Sequence, residues 1–244
     1  MKTQIPLLLE GKENMLENLK NQFILNFIDD NRWRYLVNGL GVTLKITFFA
    51  VIIGIFLGFI TALVRNTYAN TGKLKVANWI CGLYLTIIRG TPVVVQLMIL
   101  YFVIFASVRI DKTFTAILAF GINSGAYQAE IFRSGIQSIP KGQVEAGRSL
   151  GFSYRQTMIT IVMPQAIKNV IPTMCNEFIT LLKETSVAGY IALEDLTKGG
   201  DIIRSRTYSA FMPLIAVALI YLVMVLILEK IVKIIERSLK KSER

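Results

Sequence analysis

The 244-residue sequence contains no histidine and only two cysteines. Without histidine it lacks the side chain that most often performs acid–base catalysis or binds a metal. It also lacks the G-x-x-x-x-G-K-[ST] loop that holds nucleotide phosphates and the H-E-x-x-H zinc motif. Cys81 and Cys175 lie in apolar stretches, where thiols usually serve as small hydrophobic side chains. We therefore expect no metal, no cofactor and no enzyme activity in the chain itself.

Acidic residues are also few, since 16 Asp and Glu stand against 27 Lys and Arg, giving a net charge of +11. Such an excess can indicate a nucleic-acid-binding protein, but membrane proteins concentrate basic residues in their cytoplasmic loops. Here the basic residues concentrate in Arg65–Lys75, in Arg133–Lys168 and in the C-terminal tail, whereas the N-terminal segment carries balanced charge. The pattern predicts no nucleic-acid partner, an N-terminus outside the membrane and a C-terminus in the cytoplasm.

Apolar residues are abundant: they make up 53% of the sequence, and the mean hydropathy is +0.53. A helix needs about 20 largely apolar residues to cross a lipid bilayer. Five runs approach or exceed this length, and they predict an all-α polytopic membrane protein with five transmembrane helices. The runs are Leu44–Val64, Val93–Val108, Phe114–Phe132, Ala166–Leu193 and Ala210–Val232.

The predicted organisation has three parts. Residues 1–35 form an extracytoplasmic N-terminal segment, in which the apolar residues of Met15–Phe27 share one face and predict an amphipathic helix at the membrane interface. Residues 36–233 form the transmembrane domain and include a cytoplasmic loop at 140–164. Residues 234–244 form a basic cytoplasmic tail.

The segment Arg89-Gly90-Thr91-Pro92 interrupts an apolar stretch that is too long for one upright span. Proline suits the first turn of a new helix, and the residue before it is pushed away from helical angles. Two interpretations remain open. In one, an interfacial helix over Val76–Ile88 ends where a span begins; in the other, a discontinuous helix lines a polar cavity.

Ionisable residues within the spans mark a candidate pathway, because a charge in a bilayer is costly unless it is paired or faces water. Glu130 could pair with Arg133 one turn later as a structural ion pair, or line a cavity. The fourth run is too polar to face lipid on all sides. The candidate pathway residues are Arg89, Thr91, Asn123, Glu130, Asn176, Glu177, Lys183, Glu184 and Ser186.

The loop between the third and fourth runs contains helix start and stop signals that a simple connection would not need. Pro140 can start a short helix to about Ser149, and Gly151 suits a left-handed stop. Ser153 and Gln156 match a capping box that starts a second helix, and Pro164 is expected to end this helix and to begin the fourth span. The pattern predicts a compact cytoplasmic knob that another protein can grip.

This loop resembles the EAA loop of membrane subunits of ATP-binding-cassette (ABC) importers. The resemblance is carried by Glu145-Ala146-Gly147, by Gly151 and by the ending Ile161-Val162-Met163-Pro164, with Gly147 in place of the second Ala and Met163 in place of Leu. The segments "RGTPVVVQL" and "LLKETSVAGYI" are similar to segments of polar amino acid permeases, the group that includes histidine, glutamine and arginine importers. The first 35 or so residues carry no such resemblance.

The resemblance implies a type I ABC importer permease bundle in a bacterial plasma membrane. The coupling residues would be Glu145, Ala146, Gly147, Gly151, Ile161, Met163 and Pro164. The partners would be two copies of an ABC ATPase, which bind ATP and Mg, a second permease subunit, identical or a sister chain, and an extracellular solute-binding protein.

The substrate implied is a polar amino acid. Three acidic candidates, Glu130, Glu177 and Glu184, favour a basic one such as arginine, lysine or histidine, and glutamine, glutamate or cystine is the alternative. A secondary amino acid transporter is the competing class. It would need ion-coupling sites and normally an internal repeat, and the sequence shows no duplicated half.

Overall fold

The computed structural model describes residues 16–241, and these are almost entirely helical. The first helix, α1, covers 16–23 and continues as a π-helical turn over Ile24–Ile28. The remaining helices are α2 (Trp33–Thr71), α3 (Lys75–Gly90), α4 (Val93–Ile99, continued by a π-helix over Leu100–Ile104), α5 (Lys112–Gln137), α6 (Lys141–Ser149), α7 (Tyr154–Thr157), α8 (Met163–Glu184), α9 (Leu196–Thr207) and α10 (Phe211–Lys241).

Each predicted span coincides largely with a helix, but the fourth, predicted to reach Leu193, extends past the end of α8 at Glu184 into a 3-10 helix over Thr185–Ile191. Among the described residues, α2 and α10 are long and apolar enough to cross a membrane, and the bent pair of α3 and α4 would add a third span if it counts as one. Helices α5 and α8, of 26 and 22 residues, are long enough to cross but are more polar. The second span was predicted to reach Val108, but its helix ends at Ile104.

The centre of the bundle is the crossing of α2 and α5, where small residues let the backbones approach. Gly54 faces Ser124, and Gly58 lies so close to Gln128 that a Cβ there would be 2.5 Å from the Gln128 Cβ. The Gly54-x-x-x-Gly58 spacing is a pattern of small residues that lets two membrane helices approach closely. Fully buried Phe120 joins the adjoining apolar core.

The predicted interruption at Arg89–Pro92 is confirmed as a bend of 109° between α3 and α4. Pro92 is the N-cap of α4, one residue before the first-turn position predicted for it. The side-chain amide of Gln96 on α4 bridges the break by hydrogen bonds: its Nε2 donates to the Ile88 carbonyl of α3 at 2.8 Å and to Thr91 Oγ1 at 2.8 Å. Its Oε1 accepts from Asn123 at 3.0 Å, which ties the break to α5.

Helix α9 was not among the predicted elements. The buried side chain of Asp195 caps it by accepting from the backbone N–H groups of Thr197 and Lys198. Burial raises the pKa of Asp195, and these hydrogen bonds lower it by less. The Leu196 N–H donates to Thr43 Oγ1 at 3.1 Å, so α9 packs against the N-terminal part of α2.

The two ends of the chain leave some predictions open. A helix over 16–28 agrees with the amphipathic helix predicted at Met15–Phe27, but Asn26 and Phe27 are buried. Its place at a membrane interface stays a prediction, as do the three-part division and the orientation. Helix α10 continues to Lys241, so residues 234–241 of the predicted tail are helical. Residues 1–15 and 242–244 lie outside the described residues.

Candidate functional site

The loop between α5 and α8 folds as the two short helices that its sequence predicts. Gly151 follows the end of α6 with φ of +86°, a left-handed conformation that favours glycine. Ser153 and Gln156 form a reciprocal capping box, in which the Gln156 N–H donates to Ser153 Oγ at 3.3 Å and the Ser153 N–H donates to Gln156 Oε1 at 2.8 Å. We call residues 140–164 the coupling segment.

The prediction that Pro164 ends the second short helix was wrong, whereas the predicted start of the next long helix at Pro164 is confirmed to within one residue. Helix α7 passes through a π-helical turn, Met158–Val162, and continues directly into α8. Pro164 lies in the first turn of α8, where the π-helical turn changes to α-helix. A force applied to α7 would therefore reach α8 through continuous helix.

The outer surface of the coupling segment carries groups that suit a protein partner. Glu145 is exposed and forms no ion pair with any residue in the described range 16–241. Leu150 is 75% exposed, and Phe152 and Tyr154 are exposed nearby. The sequence reasoning did not single out these three apolar side chains, although exposed leucine and aromatic residues in one short loop are a signal of contact with another protein.

The inner surface explains why the chain has Gly147 rather than Ala in this motif. A Cβ at position 147 would lie 2.6 Å from Thr157 Cγ2 and 2.9 Å from Ile161 Cδ1. Thr157 is fully buried and its Oγ1 donates to the Ser153 carbonyl at 3.1 Å, so it has little room to move. Gly147 thus lets α6 pack closely on α7.

Replacing Gly147 with Ala is expected to lower the melting temperature of the purified chain, because α6 must move away from Thr157 at a cost of about 1–3 kcal/mol. The double variant Gly147→Ala, Thr157→Ser removes Cγ2 and should recover part of the loss. Melting curves in detergent for the two single variants and the double variant measure this coupling. Additive losses would contradict the contact.

A polar cavity of about 280 Å³ lies between α3, α5 and α8, and its lining includes Arg89, Tyr127, Glu130, Thr173, Asn176 and Glu177. A second cavity of about 690 Å³ shares the first three of these residues and adds Arg65 and Arg133. The structure therefore brings together four of the predicted pathway residues, Arg89, Glu130, Asn176 and Glu177.

Glu130 forms a close ion pair with Arg133 and only a long one with Arg89. Arg133 holds both carboxylate oxygens, with its Nε donating to Oε2 at 3.0 Å, as the i, i+3 spacing predicts. Arg89 lies 3.9 Å from Glu130 and 5.8 Å from the centre of the Tyr127 ring. Because its contact with Glu130 is long, the Arg89 guanidinium keeps donors for a ligand carboxylate. Glu177 has no ion pair among the described residues.

The other pathway candidates lie elsewhere. Thr91 and Asn123 contact Gln96 at the break between α3 and α4. Lys183, Glu184 and Ser186 lie at the far end of α8 and in the following 3-10 helix, Thr185–Ile191, and line neither cavity. The sequence reasoning missed Gln96 and Tyr127, although the "RGTPVVVQL" segment contains the first of them.

Comparison with known proteins gives consistent matches. The family model described as "Binding-protein-dependent transport system inner membrane component" matches residues 54–241. The arginine transport system permease protein ArtQ of Bacillus subtilis is 40% identical over 211 residues, which are 86% of this chain and 94% of ArtQ. The L-cystine permease protein TcyB of the same organism is 34% identical, over 88% and 91% of the two chains.

Further matches include a glutamine permease and two solved structures. The putative glutamine transport system permease protein GlnP of Rickettsia typhi is 35% identical, over 84% of this chain and 93% of GlnP. A chain from the crystal structure of an amino acid ABC transporter with histidines is 39% identical, with a TM-score of 0.80 over 87% of this chain and 98% of that one. A chain of the MetNI methionine ABC transporter, at 20% identity and a TM-score of 0.71, shares the fold over 86% of this chain and 98% of that one.

Proposed function

This chain belongs to the family of binding-protein-dependent transport system inner membrane components, and we propose that it is the permease subunit of an ATP-driven importer of polar amino acids. The family membership and the amino acid transport named in the related chains support this class. The coupling segment carries the proposal, because its capped helices, exposed Glu145 and continuity with α8 suit transmission of force from another subunit. A secondary transporter would have no use for it.

The energy would come from a separate ATPase present in two copies, which binds ATP and Mg and holds the coupling segment in a groove. Closure of the ATPase pair would move α6 and α7, and α8 would follow because it is continuous with α7. A second permease subunit, the same chain or a sister chain, would complete the pathway. The complex would lie in a bacterial plasma membrane with the coupling segment in the cytoplasm.

The substrate is proposed to be a basic amino acid such as arginine, lysine or histidine. Arg89 and Glu177 line the same cavity, so a guanidinium can bind the α-carboxylate while a carboxylate binds an ammonium or a basic side chain. The arginine permease relative supports this choice over the glutamine and cystine alternatives, whose relatives are somewhat less identical. Glu130 contributes less to the charge balance because Arg133 already pairs with it.

The proposed function is tested by uptake into vesicles that contain this chain and its ATPase, with the binding protein on the opposite side. Uptake of labelled amino acids is expected only when ATP is present on the ATPase side, and arginine or lysine should compete best in a panel. Equal uptake in vesicles emptied of nucleotide would contradict the proposal.

Replacing Glu177 with Gln is expected to reduce uptake of arginine relative to glutamine by roughly tenfold or more, since a hydrogen bond to a charged group contributes about 1.5–3 kcal/mol. Glu184→Gln is the matched control, because Glu184 lies two turns away on the same helix and lines neither cavity. The measurement is the ratio of initial uptake rates for the two amino acids. An unchanged ratio in Glu177→Gln would remove Glu177 from the substrate site.

A further inference from the structure

Tyr208, between α9 and α10, has an unfavourable backbone conformation and a side chain that is almost fully exposed. Its φ of +54° and ψ of +19° are left-handed, a conformation that is rare for a bulky residue. Its side chain is 97% exposed, so packing does not compensate for this conformation. A strained residue persists only where its surroundings impose the conformation, and such residues concentrate at functional sites.

The surroundings that impose it are a buried clamp on both neighbours of Tyr208. The side chain of Asn26, which is fully buried, contacts Thr207 Oγ1 through Oδ1 at 2.9 Å and donates from Nδ2 to Ser209 Oγ at 3.3 Å. The Ser209 N–H in turn donates to Thr207 Oγ1 at 3.3 Å. These hydrogen bonds hold the backbone of the turn on both sides of Tyr208, whose ring is exposed.

Tyr208 lies at the end of the bundle opposite the coupling segment. Helix α9 packs against the N-terminal part of α2, as the Leu196–Thr43 hydrogen bond shows. The coupling segment lies at the other end of α2, where Tyr154 and Asn66 line a common groove. An importer that depends on a binding protein is driven from one face and loaded from the other, so Tyr208 lies on the loading face.

The charges next to Tyr208 are basic. Arg204 and Arg206 occupy the last turn of α9, and both are exposed. Asp201 pairs with Arg204 at 2.6 Å, and its pKa is lowered by hydrogen bonds from Lys198 and Arg204. Arg206 stacks 5.0 Å from the centre of the Tyr35 ring, which fixes its position beside the turn. The exposed face of α9 thus carries three basic residues and one acidic residue.

We propose that Tyr208 is a docking residue for the solute-binding protein, which would receive the ring in an apolar slot flanked by carboxylates. An exposed aromatic side chain on a backbone that is held in place is the type of anchor that dominates protein interfaces. Arg206, which has no ion pair among the described residues, would face the carboxylates and orient the encounter. Asn26 is a positioning residue, since it acts through Thr207 and Ser209. The inference rests on the proposed function.

The test is ATP-driven uptake by reconstituted vesicles at increasing concentrations of binding protein. Tyr208→Gly removes the ring and also relieves the backbone strain, so its melting temperature should equal or exceed that of the unchanged chain. Its half-saturating concentration of binding protein is expected to rise about tenfold or more, with basal ATPase activity unchanged. Tyr208→Phe should stay close to the unchanged chain. Tyr190→Ala, at a tyrosine that is 64% exposed outside the clamp, is the control.

Each other outcome overturns the inference. An unchanged half-saturating concentration in Tyr208→Gly would show that the ring does not dock. A lower melting temperature with a parallel loss of basal ATPase activity would assign Tyr208 to the membrane interface, where tyrosine is common. An equal rise in Tyr190→Ala would remove the special role of the clamped turn. If the unchanged chain shows no uptake that depends on ATP and binding protein, the proposed function itself fails.

Discussion

Glu145→Lys is expected to abolish ATP-driven uptake while the chain still folds and inserts into the membrane. Glu145 is exposed on α6 and has no ion pair among residues 16–241, so reversing its charge breaks no ion pair with these residues. In the proposed complex the carboxylate is covered by the ATPase. Losing one partner of a covered charge pair costs about 2–5 kcal/mol, which corresponds to at least a tenfold loss of affinity for the ATPase.

The measurements are capture of the purified ATPase by the detergent-solubilised chain, uptake in vesicles and melting temperature. Gln143→Lys is the matched control, because Gln143 is exposed on the same helix but lies about 200° around its axis from Glu145. The control should capture the ATPase normally. If Glu145→Lys captures the ATPase and transports as well as the control does, the coupling role of this segment is wrong.

The coupling segment could be predicted from sequence because its signals are local. A capping box and a left-handed glycine act over three or four residues, and both are present where the sequence places them. The end of α7, by contrast, was predicted wrongly, because the proline at 164 was taken as a helix stop. Proline need not end a helix: Pro164 lies where the π-helical turn joins α8, and Pro172 lies inside α8.

The polar cavity was predictable only in part, because it depends on contacts between distant segments. Sequence reasoning selects ionisable residues within spans, but it cannot say which of them share a face across helices. It grouped Lys183 and Glu184 with Glu177, although these two residues lie about one helical turn beyond Thr180, the last residue of α8 that lines the cavity. Helix α9 escaped prediction because it is short and polar and its cap, Asp195, is recognisable only once it is buried against α2.

Gly58→Ala is expected to destabilise the chain strongly, since a Cβ at this position meets the backbone of α5 and not only side chains. It would lie 2.5 Å from the Gln128 Cβ and 2.8 Å from the Ala129 nitrogen. Backbone atoms of a helix cannot rotate away, so α2 and α5 must separate. Overpacking of this kind costs about 1–3 kcal/mol, occasionally more, and Gly58→Leu should prevent folding altogether.

Gly41→Ala separates this effect from the general cost or benefit of removing glycine. Both residues lie within α2, but a Cβ at Gly41 would meet no atom of the described residues within 4 Å. Alanine favours helix over glycine by roughly 1 kcal/mol, so Gly41→Ala should hold or raise the melting temperature in detergent while Gly58→Ala lowers it. Equal melting temperatures for the two variants would mean that α2 and α5 do not meet at Gly58. The position of the cavity between α3, α5 and α8 would then also be in doubt. Tyr127 and Glu130 line this cavity from α5, and the crossing with α2 holds α5 in place.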